Sequence, residues 1–209
     1  KRSVIALTIL FAVVVLSFAA PIYAKYVSHT DPFKSNLNGT ISINGKDVQL
    51  LQPSTTGLGL GVTPIGPTWN PTKYFLGSDS QGRDVAARLL YGGRSTLIIG
   101  TSAGLLCVLL SLLIGIFAGY RRGWLDSVLS RLLDIIWAFP VYLLAISLSV
   151  VLLTSGLSFG FIHFGPGSFA LPIFIIGIVY IPYVARPIRA QVLALREREF
   201  VRAAIGTGA

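Results

Sequence analysis

Methionine is absent from this 209-residue sequence, cysteine occurs once, histidine twice, and Asp, Glu, Lys and Arg together make up only 12% of it. The lone Cys107 has no second cysteine for an intrachain disulfide, and its apolar setting makes a small buried role the default. His29 and His163 have no Cys or carboxylate at metal-ligand spacing, so neither points to a metal centre. No Ser/His/Asp or Cys/His pattern suggests nucleophilic catalysis. The charged fraction is about half the roughly 25% of soluble domains, whereas hydrophobic residues reach 53%. This balance argues against a water-soluble enzyme and for a chain solvated by lipid.

The stretch LGSDSQGRDVAARLL, residues 76–90, has the outline of a phosphate-cradling loop, with Gly77 and Gly82 followed by Arg83-Asp84 in place of Lys-Ser or Lys-Thr. The chemistry disagrees. A phosphate loop needs a hydroxyl on the magnesium ion and follows a buried strand. Asp84 would set a carboxylate beside phosphates, and the preceding PTWNPTKYF carries two prolines.

Four long uncharged or apolar runs set the organisation. Residues 3–24 follow Lys1-Arg2 and are long enough to cross a hydrocarbon core of about 30 Å as a helix. A signal peptide begins similarly, and AAPIYAKY is a weak match to a cleavage site. Residues 95–120 form the second run, with Gly100, Ala103, Gly104, Ser111, Gly115 and Gly119 allowing close helix packing. From 135 to 185 only His163 titrates among acids, bases and imidazoles, and the Gly/Ser-rich TSGLSFGFIHFGPGS divides that stretch into spans at 135–153 and 169–185.

Basic residues flank these spans asymmetrically. Lys1, Arg2, Arg121, Arg122, Arg186, Arg189, Arg196, Arg198 and Arg202 fall at the N-terminus, the second-to-third connection and the C-terminal segment. Alternating spans put all three on one side, and the positive-inside rule makes that side cytoplasmic. The net charge of +9 is then a topology signal rather than a nucleic-acid footprint, since no basic helix with base-stacking aromatics lies outside the spans.

The connection between the first two spans is accordingly extracytoplasmic. Thr40-Ile41-Ser42-Ile43 and Lys46-Asp47-Val48-Gln49-Leu50 flank Asn44-Gly45, which predicts a β-hairpin. PSTTGLGLGVTPIGPTWNP is too rich in Gly and Pro to be helical. Asp84 stands where it caps a helix leading into the second span, and Arg88, four residues on, is spaced to pair with it. Gly82, Arg83 and Asp84 therefore read as a structural motif. Before the third span, Arg131 and Asp134 are at pairing distance, and Asp126 shares a face with Asp134; a structural ion pair is preferred over a gating role.

LGSDSQGRDVAARLLYGGRSTLIIG, GYRRGWLDSVLSRLLDIIWAFP and RPIRAQVLALREREFVRAAIGTGA, in that order, resemble the signatures of inner-membrane permease subunits of ABC importers in the dipeptide/oligopeptide/nickel family, in the branch with a Gly-Arg-Asp motif before its second span. The resemblance covers residues 74–209. It implies an all-α, polytopic membrane bundle of the type I importer kind, with four spans here, two more beyond residue 209, and a small irregular loop with a β-hairpin outside. The divisions it suggests are a first transmembrane helix at 1–24, an extracytoplasmic loop at 25–83 and a permease core at 84–209.

The resemblance also implies that the C-terminal segment is the ATPase-coupling loop, carried by Glu199, Phe200, Arg202, Ala203, Ala204, Gly206 and Gly208. The family pattern has an acidic residue before the two alanines; this sequence has Arg202. By amphipathic spacing alone, the same segment also suits a helix on the bilayer surface. The implied assembly contains a second homologous permease subunit, two cytoplasmic ATPases and an extracytoplasmic substrate-binding protein, within membrane lipid. No cofactor is implied in this chain, since ATP and Mg belong to the ATPases, and no nucleic acid is a partner. The implied role is a non-enzymatic transport subunit of the bacterial cytoplasmic membrane, its N-terminus cytoplasmic, moving di- or oligopeptides by alternating access. Nickel or another small solute is the alternative cargo; a self-sufficient secondary transporter, a channel or a membrane scaffold is the alternative class. The lack of Met, the Lys-Arg start and the stop inside the coupling motif read as a chain cut from a longer one.

Overall fold

The computed structural model describes residues 1–43, 45–54, 60–121, 123–160 and 162–208, which form two compact units, Lys1–Leu97 and Ile98–Ala209. In the first unit, α1 (Arg2–Phe18) is followed by the short α2 (Ala20–Ile22) and a π-helical turn, Tyr23–Ser28. The chain bends by 48° after α1. Pro21 lies in that bend, where it lacks an N–H for residue 17 and its ring crowds that carbonyl. The helical region therefore reaches Ser28, four residues beyond the 3–24 boundary. Leu7 and Phe11 are 67% and 68% exposed on α1, an apolar surface suited to lipid or to other helices.

A small sheet-rich cap follows. β1 (Thr40–Ile43) and β2 (Lys46–Gln49) pair antiparallel, Thr40 opposite Gln49 and Ile43 opposite Lys46, in the register expected of the hairpin. Gly45 has φ 78°, while Asn44, the other expected turn residue, lies outside the described residues. β3 (Leu51–Pro53) and β4 (Val62–Pro64) form a second hairpin, which the Gly/Pro-rich composition concealed. Ile41, Leu50, Ile65 and Tyr74 form the core of the cap, with Leu50 fully buried.

α3 (Val85–Arg121) is one unbroken helix of 37 residues and is long and apolar enough by itself to cross a membrane. At about 1.5 Å per residue it is roughly 55 Å long. The expected lead-in helix and second span are thus a single rod.

In the second unit, α4 (Trp124–Ala138) and α5 (Val141–Ser155) meet at a bend of 85°, so the span expected at 135–153 is an angled pair. The cause is local. Phe139 precedes Pro140 and adopts an extended conformation, φ −91° and ψ 138°, because the proline ring disfavours the helical region for its predecessor. The short hairpin of β5 (Leu157–Phe159) and β6 (Ile162–Phe164) separates α5 from α6 (Ala170–Val179), at the Gly/Ser-rich division expected there. α6 and α7 (Ile181–Arg196) bend by 44° at Tyr180, where Pro182 in the first turn of α7 interrupts the ladder. Counting each bent pair as one span gives up to four, the number expected. α8 (Glu199–Gly206) is the last helix among the described residues.

α7 packs on α3 and α4. Cys107 and Leu133 join Ile181 and Ala185 in a buried cluster, so Cys107 has the small apolar role expected of it. Gly115 and Gly119 are required by close approach. A Cβ at Gly115 would lie 2.7 Å from the Cγ2 of Ile188, and one at Gly119 would lie 2.8 Å from the Cβ of Val192. The buried Ser111 donates to the carbonyl of Ile181 at 3.3 Å, tying the start of α7 to the same face.

Candidate functional site

Gly82, Arg83 and Asp84 come together with residues distant in sequence. Asp84 is fully buried. Its Oδ1 accepts from the N–H groups of Ala86 at 2.9 Å and Ala87 at 3.2 Å, which caps α3. Its Oδ2 accepts from the N–H of Tyr74 at 3.1 Å and the hydroxyl of Thr30 at 3.2 Å. One carboxylate therefore ties three parts of the unit: the chain leaving the first helix, the cap and the start of α3. Four donors satisfy it as an anion, so the carboxylate is used up structurally.

Arg88 does not pair with Asp84 as its spacing suggested. It donates to the carbonyl of Pro32 at 3.0 Å and lies 3.4 Å from Asp79. Both oxygens of Asp84 are already taken by four other donors, while Arg88 reaches the loop carbonyl of Pro32.

Asp79 is the second centre of the motif. It accepts from the N–H of Gln81 at 2.9 Å, the N–H of Arg83 at 3.0 Å and the Nε of Arg83 at 2.8 Å. Burial raises the pKa of Asp79, but these hydrogen bonds outweigh that and hold the carboxyl below its ordinary value. Burial is also the main reason the Tyr74 hydroxyl is pushed up, opposed by a hydrogen bond with Asn36 and assisted by the charges of Asp84 and Asp79. Gly82, at φ 70°, has no room for a side chain: a Cβ would collide with the carbonyl of Asn36. Its own carbonyl accepts from the Tyr74 hydroxyl at 3.2 Å. The N–H groups of Gly77, Ser78, Asp79, Gln81, Gly82 and Arg83 are thus directed at protein oxygens, where a phosphate loop would direct its N–H groups at a ligand.

Beside the turn is an open polar cleft of about 560 Å³, lined in part by His29, Lys34, Asn36, Asn70, Lys73 and Tyr74. Sequence reasoning missed it, because its walls come from segments with no motif.

The other candidate site is α8. Arg198, extended at ψ 146°, separates it from α7 by a sharp turn. Glu199 stands in the first turn, where a negative group suits the helix dipole. No residue of α8 is buried; Phe200 is 65% exposed and Ile205 61%. Arg202 reaches back across the turn to Glu197 at 3.0 Å. Ala203 and Ala204 lie in the last turns of the helix, with their carbonyls accepting from Thr207. Gly206 ends the helix and Gly208 follows at φ 92°.

Behind α8, α7 is fastened to α4 by two ion pairs. Arg189 grips Asp126 with Nε at 2.6 Å and a terminal nitrogen at 2.7 Å, and Arg186 pairs with Asp134. The carboxylates therefore find arginines on α7, and Asp134 is held by Arg186 rather than by the Arg131 its spacing suggested. A tertiary partner of this kind leaves no mark in local spacing.

Residues 111–209 match the family described as binding-protein-dependent transport system inner membrane component. A dipeptide transport system permease protein, DppC, of Alkalihalophilus pseudofirmus is 35% identical over 136 residues, 65% of this chain and 40% of that protein. A putative peptide transport system permease protein of Brucella suis is 35% identical over 158 residues, 76% of this chain and 47% of the relative. The glutathione transport system permease protein GsiD of Pectobacterium atrosepticum is 33% identical over 136 residues, 65% of this chain and 41% of its own length. The chain spans less than half the length of each of these relatives. The family match and the permease relatives agree on one assignment: the chain belongs to the inner-membrane components of binding-protein-dependent transport systems.

Proposed function

We propose that this chain is part of the transmembrane permease subunit of an ATP-driven importer that moves di- or oligopeptides into the cytoplasm by alternating access. The observation that carries the reading is α8, a helix with no buried residue that presents Phe200 and Ile205 directly after a firmly anchored α7. Two large apolar side chains exposed on so short a helix suit a groove on another protein. In this reading Glu199, Phe200, Arg202, Ala203, Ala204, Gly206 and Gly208 contact an ATPase. The two ATPases hold ATP and Mg; a second permease subunit and an extracytoplasmic substrate-binding protein complete the assembly.

The proposed organisation is a first span at 1–24, an outer loop at 25–83 and a permease core at 84–209. The N-terminus, the connection between α3 and α4, and α8 lie in the cytoplasm of a bacterial cell, because the basic residues cluster there. Peptide cargo is favoured over nickel by the relatives, whose names specify dipeptide, peptide and glutathione transport.

The test is reconstitution of the full-length chain with its partner subunits in proteoliposomes and measurement of ATP-dependent uptake of dipeptides, longer peptides, glutathione and nickel. Peptide uptake supports the proposal; nickel uptake alone reassigns the cargo, and uptake without ATP rejects the importer. Sidedness is checked separately with single cysteines at Ser54 and Ser127 in a Cys107→Ser background. Ser54 is expected to label from outside and Ser127 from inside.

A further inference from the structure

Only Glu197 and Arg198 lie between α7 and α8. The two ion pairs on α7 are not parallel rungs. Asp126 and Asp134 are eight residues apart on α4, about 12 Å along the axis, whereas Arg186 and Arg189 are three apart on α7, about 4.5 Å. The helices run antiparallel at this seam, Arg189 to Asp126 and Arg186 to Asp134, so the two arginines fan outward to carboxylates on opposite sides. Divergent braces resist sliding in both directions, because motion that relaxes one pair stretches the other.

Each brace is reinforced. Both oxygens of Asp126 are held in a fork, and Ser130 donates to Oδ1 at 3.2 Å. The guanidinium of Arg186 lies 3.6 Å from the ring centroid of Trp137, on α4 beside its carboxylate partner. α4 ends one residue after Trp137, and the Phe139-Pro140 elbow then redirects the chain by 85° into α5.

We propose that Asp126–Arg189 and Asp134–Arg186 are positioning pairs that make α4 and α7 one rigid body, so that displacement of α8 turns α4 and, through the Pro140 elbow, reorients α5. This rests on the coupling role proposed above for α8. The residues touch neither cargo nor nucleotide. Their effect is to pass movement from one helix to the next without slip.

The first experiment needs no change in the braces. Spin labels at Ser127→Cys and Gln191→Cys, in a Cys107→Ser background of the assembled transporter, report the α4–α7 distance without nucleotide and with ATP trapped. The distance is expected to stay constant within about 1 Å, less than the rise per residue of about 1.5 Å. A shift approaching one helical turn, about 5.4 Å, means that the helices slide and overturns the proposal. The second experiment uses Asp126→Asn/Asp134→Asn. Uptake per ATP hydrolysed is expected to fall about tenfold, within the usual range of coupling between sites, with ATP hydrolysis retained. An unchanged ratio in an assembled variant overturns the proposal, and should that variant fail to assemble, the label distance decides alone. If the unaltered transporter hydrolyses ATP but takes up no peptide, the cargo reading fails while the label distance still tests the braces.

Discussion

The N–H of Tyr74 donates to Oδ2 of Asp84 at 3.1 Å, while Oδ1 of the same carboxylate caps the first turn of α3. Asp84→Ala removes the cap and strands the Tyr74 N–H in a buried site. The expected loss is about 2–4 kcal/mol, combining a cap with a buried unsatisfied donor. Asp84→Asn keeps one acceptor oxygen and is expected to lose less. Thermal unfolding of the purified chain in detergent measures both. ATP binding to the isolated chain is expected to be undetectable before and after the change, and tight binding abolished by Asp84→Ala would falsify the structural reading of this turn.

Asp79 gives the neighbouring turn a pH dependence. Its folded-state pKa lies below the ordinary value, so its stabilisation is fully present above about pH 4 and is lost as pH falls through the lowered folded-state value. Hydrogen exchange at residues 78–84 is expected to accelerate on acidification over that window. Asp79→Asn should exchange faster at neutral pH and lose most of the acid response. An equal acid response in the variant would assign the effect to another group.

The glycines of α3 divide by their surroundings. Gly115→Ala places a methyl group 2.7 Å from Ile188 and 2.9 Å from the carbonyl of Ala185, and this overpacking is expected to cost about 1–3 kcal/mol. Gly100 and Gly104 have nothing within 4 Å of an added Cβ in this chain. Alanine there should leave the isolated chain unchanged or slightly stabilised. Comparing the melting temperatures of the three variants checks the seam between α3 and α7; equal effects would contradict it.

Arg202 and Glu197 are 68% and 52% exposed, and an exposed pair contributes roughly 0–1 kcal/mol. Arg202→Glu should therefore leave insertion and melting nearly unaltered while setting two acids side by side at the turn into α8. In the assembled transporter it is expected to lower transport-coupled hydrolysis. A second change, Glu197→Arg, restores the opposite charges within this chain, and recovery would place the defect in the turn. If only an acidic-to-basic exchange on the ATPase restores coupling, Arg202 instead meets a carboxylate of the partner. Unchanged coupled hydrolysis in Arg202→Glu would leave it as a solvated charge.

Long apolar runs, basic flanks and the Thr40-to-Leu50 alternation were legible because they depend on neighbours in sequence: lipid solvation, hydrogen-bond closure within a helix and the twofold pleat of a strand. The cap at Asp84 was legible for the same reason, since a capping carboxylate serves N–H groups two and three residues ahead. Its other two bonds, to Thr30 and Tyr74, were not, because their positions depend on how the cap folds back. Arg88 and Asp134 had suitable local partners and took distant ones, Asp79 and Arg186. Helical spacing says which side chains are able to meet; packing decides which do, since each guanidinium settles where its donors and its aliphatic stem are satisfied together. The bends show the same division. Prolines at 21, 140 and 182 mark where the helical ladder loses a donor, but bends of 48°, 85° and 44° depend on what each half packs against once the ladder is broken.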